Sequence, residues 1–550
     1  MTRSKIYLSF TFLFLFNFFS LAQVVETEAP LNPDFLKWRE NNLKSGISSD
    51  QIPSPIQPNH SWLLNESLKK SYSFDAAYDL RTKGWVTSAK DQGSCGACWT
   101  FATVGALEST MIQQGFGNFD FSEQSIRTCH GFVFGEDAAC SGGNSHKSTA
   151  YLTRGWGPLL EATIPYNTNF YEDCNIDTAP LFSVFEVDYL PADQNIIKQA
   201  IVDHGALYTN MYFVSGSYTS ANKTYYYSGT ESPNHAVLLV GWDDTKYASA
   251  SPGAWIVKNS WGASWGEQGF FYVSYQDTRI NNSVTSFYGV EPDDNGNFVH
   301  LYDDLGWLSS LGFGNNYAYS LVKFTTTEAQ TLSSIGTFTV ASGSVVKAVI
   351  YGSKSGDILS EELGATEFTN VTTSGYHRID LISPISLTAG KSFYVKVYYQ
   401  TYNYNYPIPF EKAIENYATP NIRSGVGWIS SDGSSWDAVG NDIVGKERDL
   451  CVRVYARLAS AETNELDSKQ KDIEIYPLPA KQEIFIRLNS EYINQNLSVY
   501  SINGKFISKK TIANTEESLN VGHLSAGLYL IRIETTNGNL LAQKRFIKSN

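Results

Sequence analysis

A chain of 550 residues exceeds what one ordinary core organises, so several domains are expected. With 42% apolar and only 17% charged residues, the composition excludes a predominantly disordered chain. A formal net charge of -14 and a pI near 5.1 argue against broad binding to nucleic acid or to anionic membrane.

Arg3 and Lys5 precede an apolar run over residues 6–19, and Ser20-Leu21-Ala22 then offers a small-x-small cleavage pattern. This reads as a secretory signal peptide over residues 1–22, with a mature chain from Gln23. No second apolar run of roughly 18 residues follows, so no integral membrane segment is expected in the mature chain. Export would place the six cysteines where disulfides form. Residues 23–72 are polar and punctuated by Pro30, Pro33, Pro53, Pro55 and Pro58. Only residues 35–43 have a helical pattern, so the stretch reads as a pro-segment or N-terminal arm.

From residue 73 to 288 the character changes, and five of the six cysteines fall here. The stretch Gln92-Gly93-Ser94-Cys95-Gly96-Ala97-Cys98-Trp99-Thr100-Phe101 carries the strongest chemical signal in the chain. Taken alone, Cys95 and Cys98 form a C-x-x-C of the kind used in redox centres and zinc sites. Either role wants a βαβ setting or a second close pair, and Cys129 and Cys140 stand too far apart to supply one. No metal and no cofactor is therefore expected. Thr100, Phe101, Ala102, Val104 and Leu107 give an amphipathic helical pattern that begins at Cys98. A thiol at a helix N-terminus meets free N–H groups and the positive end of the dipole, which favour the nucleophilic thiolate. Among the eight histidines, only His235 precedes an apolar strand, residues 236–240, that leads to the turn Asn259-Ser260-Trp261-Gly262.

These motifs, in the order Gln92, Cys98, His235, Asn259, resemble the papain and cathepsin family of cysteine proteases over residues 78–275. His235 follows Cys98 at the spacing of roughly 130–150 residues that marks that family. The resemblance implies an α+β papain-like two-subdomain fold, a helical subdomain carrying Cys98 and a β-rich one carrying His235 and Asn259, with the cleft between. It implies Cys98 as nucleophile, His235 as general acid and base, Asn259 as the group that orients the imidazole, and Trp261 as its shield from water. Gln92 would donate to the oxyanion, and Gly142, Gly143, Asn144 and Ala236 would line the substrate cleft. Four cysteines remain beside Cys98 in this region, which allow three pairings. The resemblance selects Cys95–Cys140 and Cys129–Cys174, leaving Cys451 unpaired and buried. Asn144 stands where many relatives carry an aromatic residue, so the neighbouring pocket departs from the family. The pro-segment lacks the long helical pattern of inhibitory propeptides, but its extended, Pro-rich chain could lie along the cleft.

Residues 289–458 alternate strand-like runs (334–340, 346–351, 376–381, 393–400, 451–455) with Gly, Ser, Asn and Asp turns, which predicts a β-sandwich. Tyr398, Tyr399, Tyr402, Tyr404 and Tyr406 cluster there, with Trp428 and Trp436 flanking a turn, and exposed rings of this kind could stack on a glycan. By position the module resembles the lectin-like domain that accompanies some microbial papain-family enzymes. Residues 459–472 are charged and apolar-poor, as a linker would be. In residues 473–550, Tyr476-Pro477-Leu478-Pro479-Ala480, Val499-Tyr500-Ser501-Ile502-Asn503-Gly504, Leu524-Ser525-Ala526-Gly527-Leu528-Tyr529 and Lys544-Arg545-Phe546-Ile547-Lys548 follow in order. This resembles the C-terminal sorting domain of the type IX secretion system of Gram-negative bacteria, folded as a small β-sandwich tail. Leu478 stands where that domain usually has Asn.

The reading is a secreted or surface-attached cysteine endopeptidase that works through a Cys98 thioacyl intermediate on protein or peptide substrates. Its other partners would be the type IX secretion machinery and a glycan at the middle module. The competing class is a catalytically silent surface adhesin, or carbohydrate-binding protein, on the same scaffold. It is disfavoured because the nucleophile and the histidine are both present.

Overall fold

The computed structural model of this chain describes residues 25–45, 50–132, 140–168, 174, 180–293, 297–458, 473–478, 480–501, 506–524, 527–536 and 540–548. The expected signal segment and the linker at 459–472 lie outside the described residues, as do Pro479, residues 502–504 and residues 525–526 of the tail motifs. Helices α1 (Pro33–Ser45), α2 (Ser61–Ser67), α3 (Cys98–Gln113), α4 (Glu123–Cys129), α5 (Ser145–Thr153) and α6 (Gln194–His204) account for the α-helical structure among the described residues. None of them is long and apolar enough to cross a membrane.

Helix α3 is the axis of the helical half. Its pattern suggested one exposed face, yet every residue from Cys98 to Met111 is buried. It packs against α4, α5 and the neighbouring sheet, so all its faces meet protein. Its polar side chains are consumed inside: Thr103 Oγ1 bonds the Trp99 carbonyl at 2.8 Å and Ser148 Oγ at 2.7 Å. Helix α5 starts at Asn144 because that side chain accepts the Lys147 N–H at 3.0 Å, a standard N-cap.

The β-rich half contributes strands Phe182–Leu190, Leu207–Met211, His235–Tyr247, Pro252–Lys258, Phe270–Ser274 and Val284–Pro292 to a 13-stranded sheet. That sheet does not stop where the peptidase-like segment ends. Ser374–Leu387 pairs antiparallel with Phe182–Leu190, Tyr376 opposite Val187, and carries Gln330–Thr339, Val452–Leu458 and Asn297–His300 on the far side. A second, seven-stranded sheet closes over these as a sandwich. In its strand Ser392–Gln400 burial alternates strictly, with Phe393, Val395, Val397 and Tyr399 facing the core. Tyr399 is thus a core residue, its hydroxyl 2.7 Å from Thr337 Oγ1, while Tyr394 and Tyr398 face out. Cys451 is a free, buried thiol. The tail packs a three-stranded sheet against a four-stranded one around Ile473, Ile486, Leu497 and Ile531.

Where sandwich meets α5, Arg453 and Asp303 form an ion pair with both side chains 0% exposed. Arg453 Nη1 also donates to Thr153 Oγ1 at 2.7 Å, and Nη2 to the Asp303 carbonyl at 3.0 Å. Arg453→Leu would strand the Asp303 carboxylate, a loss expected to cost about 3–5 kcal/mol. Thermal unfolding should show a clear drop in midpoint, and a shift within error would mean that the pair does not hold this junction.

The arm is the least regular element and the most consequential. Thr27–Glu28 adds a short antiparallel strand to Ser309–Gly312 of the sandwich. Helix α1, the one helix expected here, buries Phe35 among Phe132, Leu305, Leu308 and Tyr417. After residues 50–52, which cross the peptidase face, the chain returns to the sandwich: Asn59 N–H donates to the Val340 carbonyl at 3.0 Å and Ser342 N–H to the Asn59 carbonyl at 2.8 Å. Helix α2 follows, which the sequence pattern did not foresee. It is short, and the sandwich supports it through the Leu63 N–H bond to Ser342 Oγ at 3.1 Å.

Candidate active site

Two element ends meet at the cleft. Ala97, at φ -110° and ψ 7°, leaves the helix and has no side chain to cap it, so the first amides of α3 are free. The N–H groups of Cys98 and Trp99 therefore favour negative sulfur, and from across the cleft Ala236 N–H reaches Sγ at 3.3 Å. The strand His235–Tyr247 begins beside it. His235 Nε2 lies 2.8 Å from Asn259 Oδ1, and Ser260 N–H donates to the same oxygen at 2.8 Å. That second donor identifies the atom as the amide oxygen, so Nε2 carries the proton and Nδ1 is left as an acceptor. The Trp261 ring stacks on the imidazole with centroids 4.6 Å apart, and Phe213 meets Trp261 edge-on at 4.6 Å. Together they cover the His235–Asn259 bond.

Gln92 is buried and held at both ends of its amide. Oε1 accepts from Ser260 Oγ at 2.6 Å, and Nε2 donates to the Cys95 carbonyl at 3.0 Å. One Nε2 hydrogen remains for a ligand. Disulfides Cys95–Cys140 and Cys129–Cys174 tie the flanking loops together. On the opposite wall, Gly142 has φ +87°, and a Cβ on Gly143 would come within 2.3 Å of the Trp99 ring. Glycine there lets a backbone approach from the front while tryptophan fills the back. Asn144 is held by hydrogen bonds on the wall of the neighbouring cavity. Besides capping α5, its Nδ2 donates to the Ile52 carbonyl at 3.1 Å and to the Tyr417 hydroxyl at 2.9 Å.

The arm occupies this cleft. Gln51 bridges Gly143 in parallel, with Ile52 N–H on the Gly143 carbonyl at 2.9 Å. The Asp50 carbonyl oxygen accepts from the Cys98 thiol at 3.6 Å. Under this cover both partners are driven to their neutral forms. Burial pushes the Cys98 thiol far up, against the help of Ala236 N–H, and the Asp50 charge adds to the rise. Burial likewise lowers the His235 imidazole to about 4, only partly opposed by the Asn259 hydrogen bond.

A buried ionic network behind the cleft escaped the sequence reading. Lys90 Nζ reaches Glu123 at 2.9 Å and Glu108 at 3.5 Å, while Glu108 Oε2 accepts from Thr87 Oγ1 at 2.6 Å. Lys258 Nζ donates to the same Thr87 hydroxyl at 2.9 Å. Burial raises Glu123 to about 8, with Lys90 pulling the other way. The network joins α3 and α4 to the loop carrying Gln92 and to the strand that delivers Asn259. Its signal was a carboxylate, Glu108, the one charged side chain of α3.

Comparison with known proteins gives three successive family matches: papain family cysteine protease over residues 74–288, lectin like domain over 299–456, and secretion system C-terminal sorting domain over 474–549. Cysteine proteinase 1 of Dictyostelium discoideum is 30% identical over 254 residues, which cover 44% of this chain and 71% of that protein. Cysteine proteinase 15A of Pisum sativum is 33% identical over 207 residues, covering 36% of this chain and only 56% of that protein. The cysteine protease and lectin-like domains of Cwp84, a surface layer associated protein of Clostridium difficile, superpose with a TM-score of 0.68 at 23% identity. That match covers 79% of this chain and 98% of the clostridial one. A second structure of Cwp84, after propeptide cleavage, has a TM-score of 0.62 at 24% identity, covering 70% of this chain and all of that one. These two likenesses bear on the fold.

Proposed function

Since this chain belongs to the papain family of cysteine proteases, we propose that it is an exported endopeptidase whose reacting groups are Cys98 and His235. The observation that carries this is Cys98 at the free N-terminus of α3, facing the Ala236 N–H across a cleft in which His235 is bound to Asn259. His235 Nδ1 takes the thiol proton of Cys98, the thiolate attacks the scissile carbonyl carbon, and the Cys98 N–H and Gln92 Nε2 take the developing oxyanion. His235 protonates the departing amine, leaving a thioester, and then removes a proton from the water that hydrolyses it. Asn259 fixes the ring, and Trp261 keeps water from that bond. Gly142, Gly143 and Ala236 frame the path of the substrate backbone, with Asn144 beside it. The test is hydrolysis of an internally quenched peptide library by the wild type and by Cys98→Ala. Equal turnover by both would leave the silent-adhesin reading standing instead.

In this proposal the domain plan is a signal at 1–22, a pro-segment at 23–72, the peptidase at 73–288, the lectin-like sandwich at 289–458, a linker at 459–472 and the sorting domain at 473–550. The tail carries the protein through type IX secretion to the surface or medium of a Gram-negative cell. The pro-segment keeps the enzyme latent, because the stretch 50–52 fills the cleft and runs parallel to Gly143 where a substrate pairs antiparallel. The Asp50 carbonyl oxygen, rather than a scissile carbon, then meets the sulfur. For the sandwich, the outward rings Tyr319 and Tyr398 (5.2 Å apart) and Tyr394 and Trp428 (6.2 Å apart) form a stacking face for a glycan. A glycan array probed with the full chain should give hits that Tyr398→Ala weakens about tenfold, as loss of one stacked ring implies. Silence on the array would remove the sugar ligand.

A further inference from the structure

The segment lying in the cleft marks what the cleft accepts. Gln51 stands opposite Gly143, next to the residue whose carbonyl meets Cys98, and Gln51 as a whole is only 1% exposed. Its Oε1 accepts from the Tyr208 hydroxyl at 2.8 Å. Around it opens a cavity of about 350 Å³, bounded on one side by the arm (Pro53, Ile56, His60) and on the other by Ser145, His146, Asn210, Pro233 and Thr285. Tyr208 and Asn210 are two apart on the strand Leu207–Met211 and so face the same way. Asn210 is the register partner of Ala236, the residue that contacts the Cys98 sulfur. This polar wall therefore stands one strand away from the nucleophile.

Two atoms in that wall lack partners among the described residues. Asn210 Oδ1 and His146 Nε2 are both buried and unbonded, although Thr285 Oγ1 beside them is satisfied by Ser145 Oγ at 2.9 Å. Buried polar atoms in a native protein almost always have a partner, so an orphaned pair at a cleft points to a ligand that brings one.

We propose that this pocket receives the side chain of the second substrate residue before the scissile bond and selects a carboxamide, glutamine foremost, with Tyr208 as the specificity-determining residue. The carboxamide oxygen accepts from the Tyr208 hydroxyl and its NH₂ donates to Asn210 Oδ1. The arm, running in reverse, makes the first contact but turns its Gln51 Nε2 to the Ile52 carbonyl at 3.3 Å. Leucine or phenylalanine would leave the hydroxyl proton without an acceptor, although the Ser145 N–H still reaches its oxygen, and Oδ1 without a donor; glutamate would set a negative charge against Oδ1. A site built to hydrogen-bond a side chain rejects analogues that cannot do so far more strongly than an apolar pocket rejects a misfit.

This inference rests on the peptidase reading. The experiment is a set of quenched peptides varying only at that position (Gln, Asn, Glu, Leu, Phe), cleaved by the full chain with and without prior limited proteolysis of the arm. Cys98 is titrated with a thiol-directed epoxide so that rates refer to active enzyme. The expected kcat/KM for Gln exceeds that for Leu by about tenfold or more. Tyr208→Phe, and independently Asn210→Val, should each collapse that ratio toward one. Because the readout is a ratio between substrates, general damage to the fold does not imitate it. Cleavage that prefers Leu or Phe, or a ratio unmoved by both variants, overturns the pocket and leaves the peptidase intact. No cleavage of any peptide and no labelling of Cys98, with or without the arm, overturns the peptidase reading and this inference together.

Discussion

Cys98→Ala is expected to lose peptide hydrolysis by about ten-thousandfold or more in kcat, and His235→Ala to lose nearly as much. The two losses should not multiply, because a nucleophile without its base and a base without its nucleophile disable the same step. The reason lies in how the sulfur is held. Three N–H groups, those of Cys98, Trp99 and Ala236, already favour its anion. The imidazole that must take the proton is oriented through Asn259, itself fixed by the Ser260 N–H. A thiol without that base reacts only through the small thiolate fraction at neutral pH. Labelling by an epoxide gives a second reading: with the arm removed, Cys98 should be modified, and the same chain carrying His235→Ala should not. Turnover of either variant within tenfold of the wild type would sink the mechanism.

Removing the arm is expected to raise the rate of Cys98 labelling and of peptide cleavage by about a hundredfold, since a tethered occupant sits in the cleft at millimolar effective concentration. Its hold is set by the sandwich, which grips it on both sides of the crossing. Thr27–Glu28 pairs with Ser309–Gly312 and Glu26 lies 3.3 Å from Arg448, while Asn59 is bonded to Val340 and Ser342 beyond the cleft. Between these anchors the Asp50 carbonyl takes the thiol proton as a hydrogen bond and the Asp50 charge opposes ionisation. With the arm in place the raised thiol stays protonated at neutral pH, and His235, lowered to about 4, is neutral as well. Labelling of the intact chain should thus rise only at alkaline pH, where thiolate first forms. Once the cleft is hydrated, both groups shift back toward their ordinary ranges, so labelling of the arm-free chain should already be fast near pH 6. An arm-free chain labelled no faster than the intact one would show that residues 50–52 do not restrain the nucleophile.

Much of this chemistry is legible locally. Cys98 reads as a nucleophile because six preceding residues and the helix it opens are contiguous in sequence, and Asn259-Ser260-Trp261 places three cooperating groups in one turn. Strands such as Ser392–Gln400 declare themselves through a period of two. The exposed face expected for α3 did not, because a helix wrapped by α4, α5 and a sheet can bury threonine and glutamate once each finds a partner. Helix α2 was missed for the converse reason: seven residues carry little pattern of their own and lean on Ser342.

The sequence by itself determined the proposed chemistry of the centre and the order of modules, since such motifs are short strings whose meaning depends on neighbours in the chain. Only the tertiary structure decided what surrounds that centre. It joined Tyr376 to Val187 in one continuous sheet, set Tyr417 against Asn144 across 273 positions, and brought Gln51 to Tyr208 across 157. Such contacts couple residues whose local sequence already satisfies its own helix or strand, so no periodicity or motif registers them. They form because backbone edges and buried polar atoms must be paired wherever the folded chain brings them. In this protein those pairings carry the proposed latency and specificity of the centre, whose proposed reacting atoms are legible in the sequence.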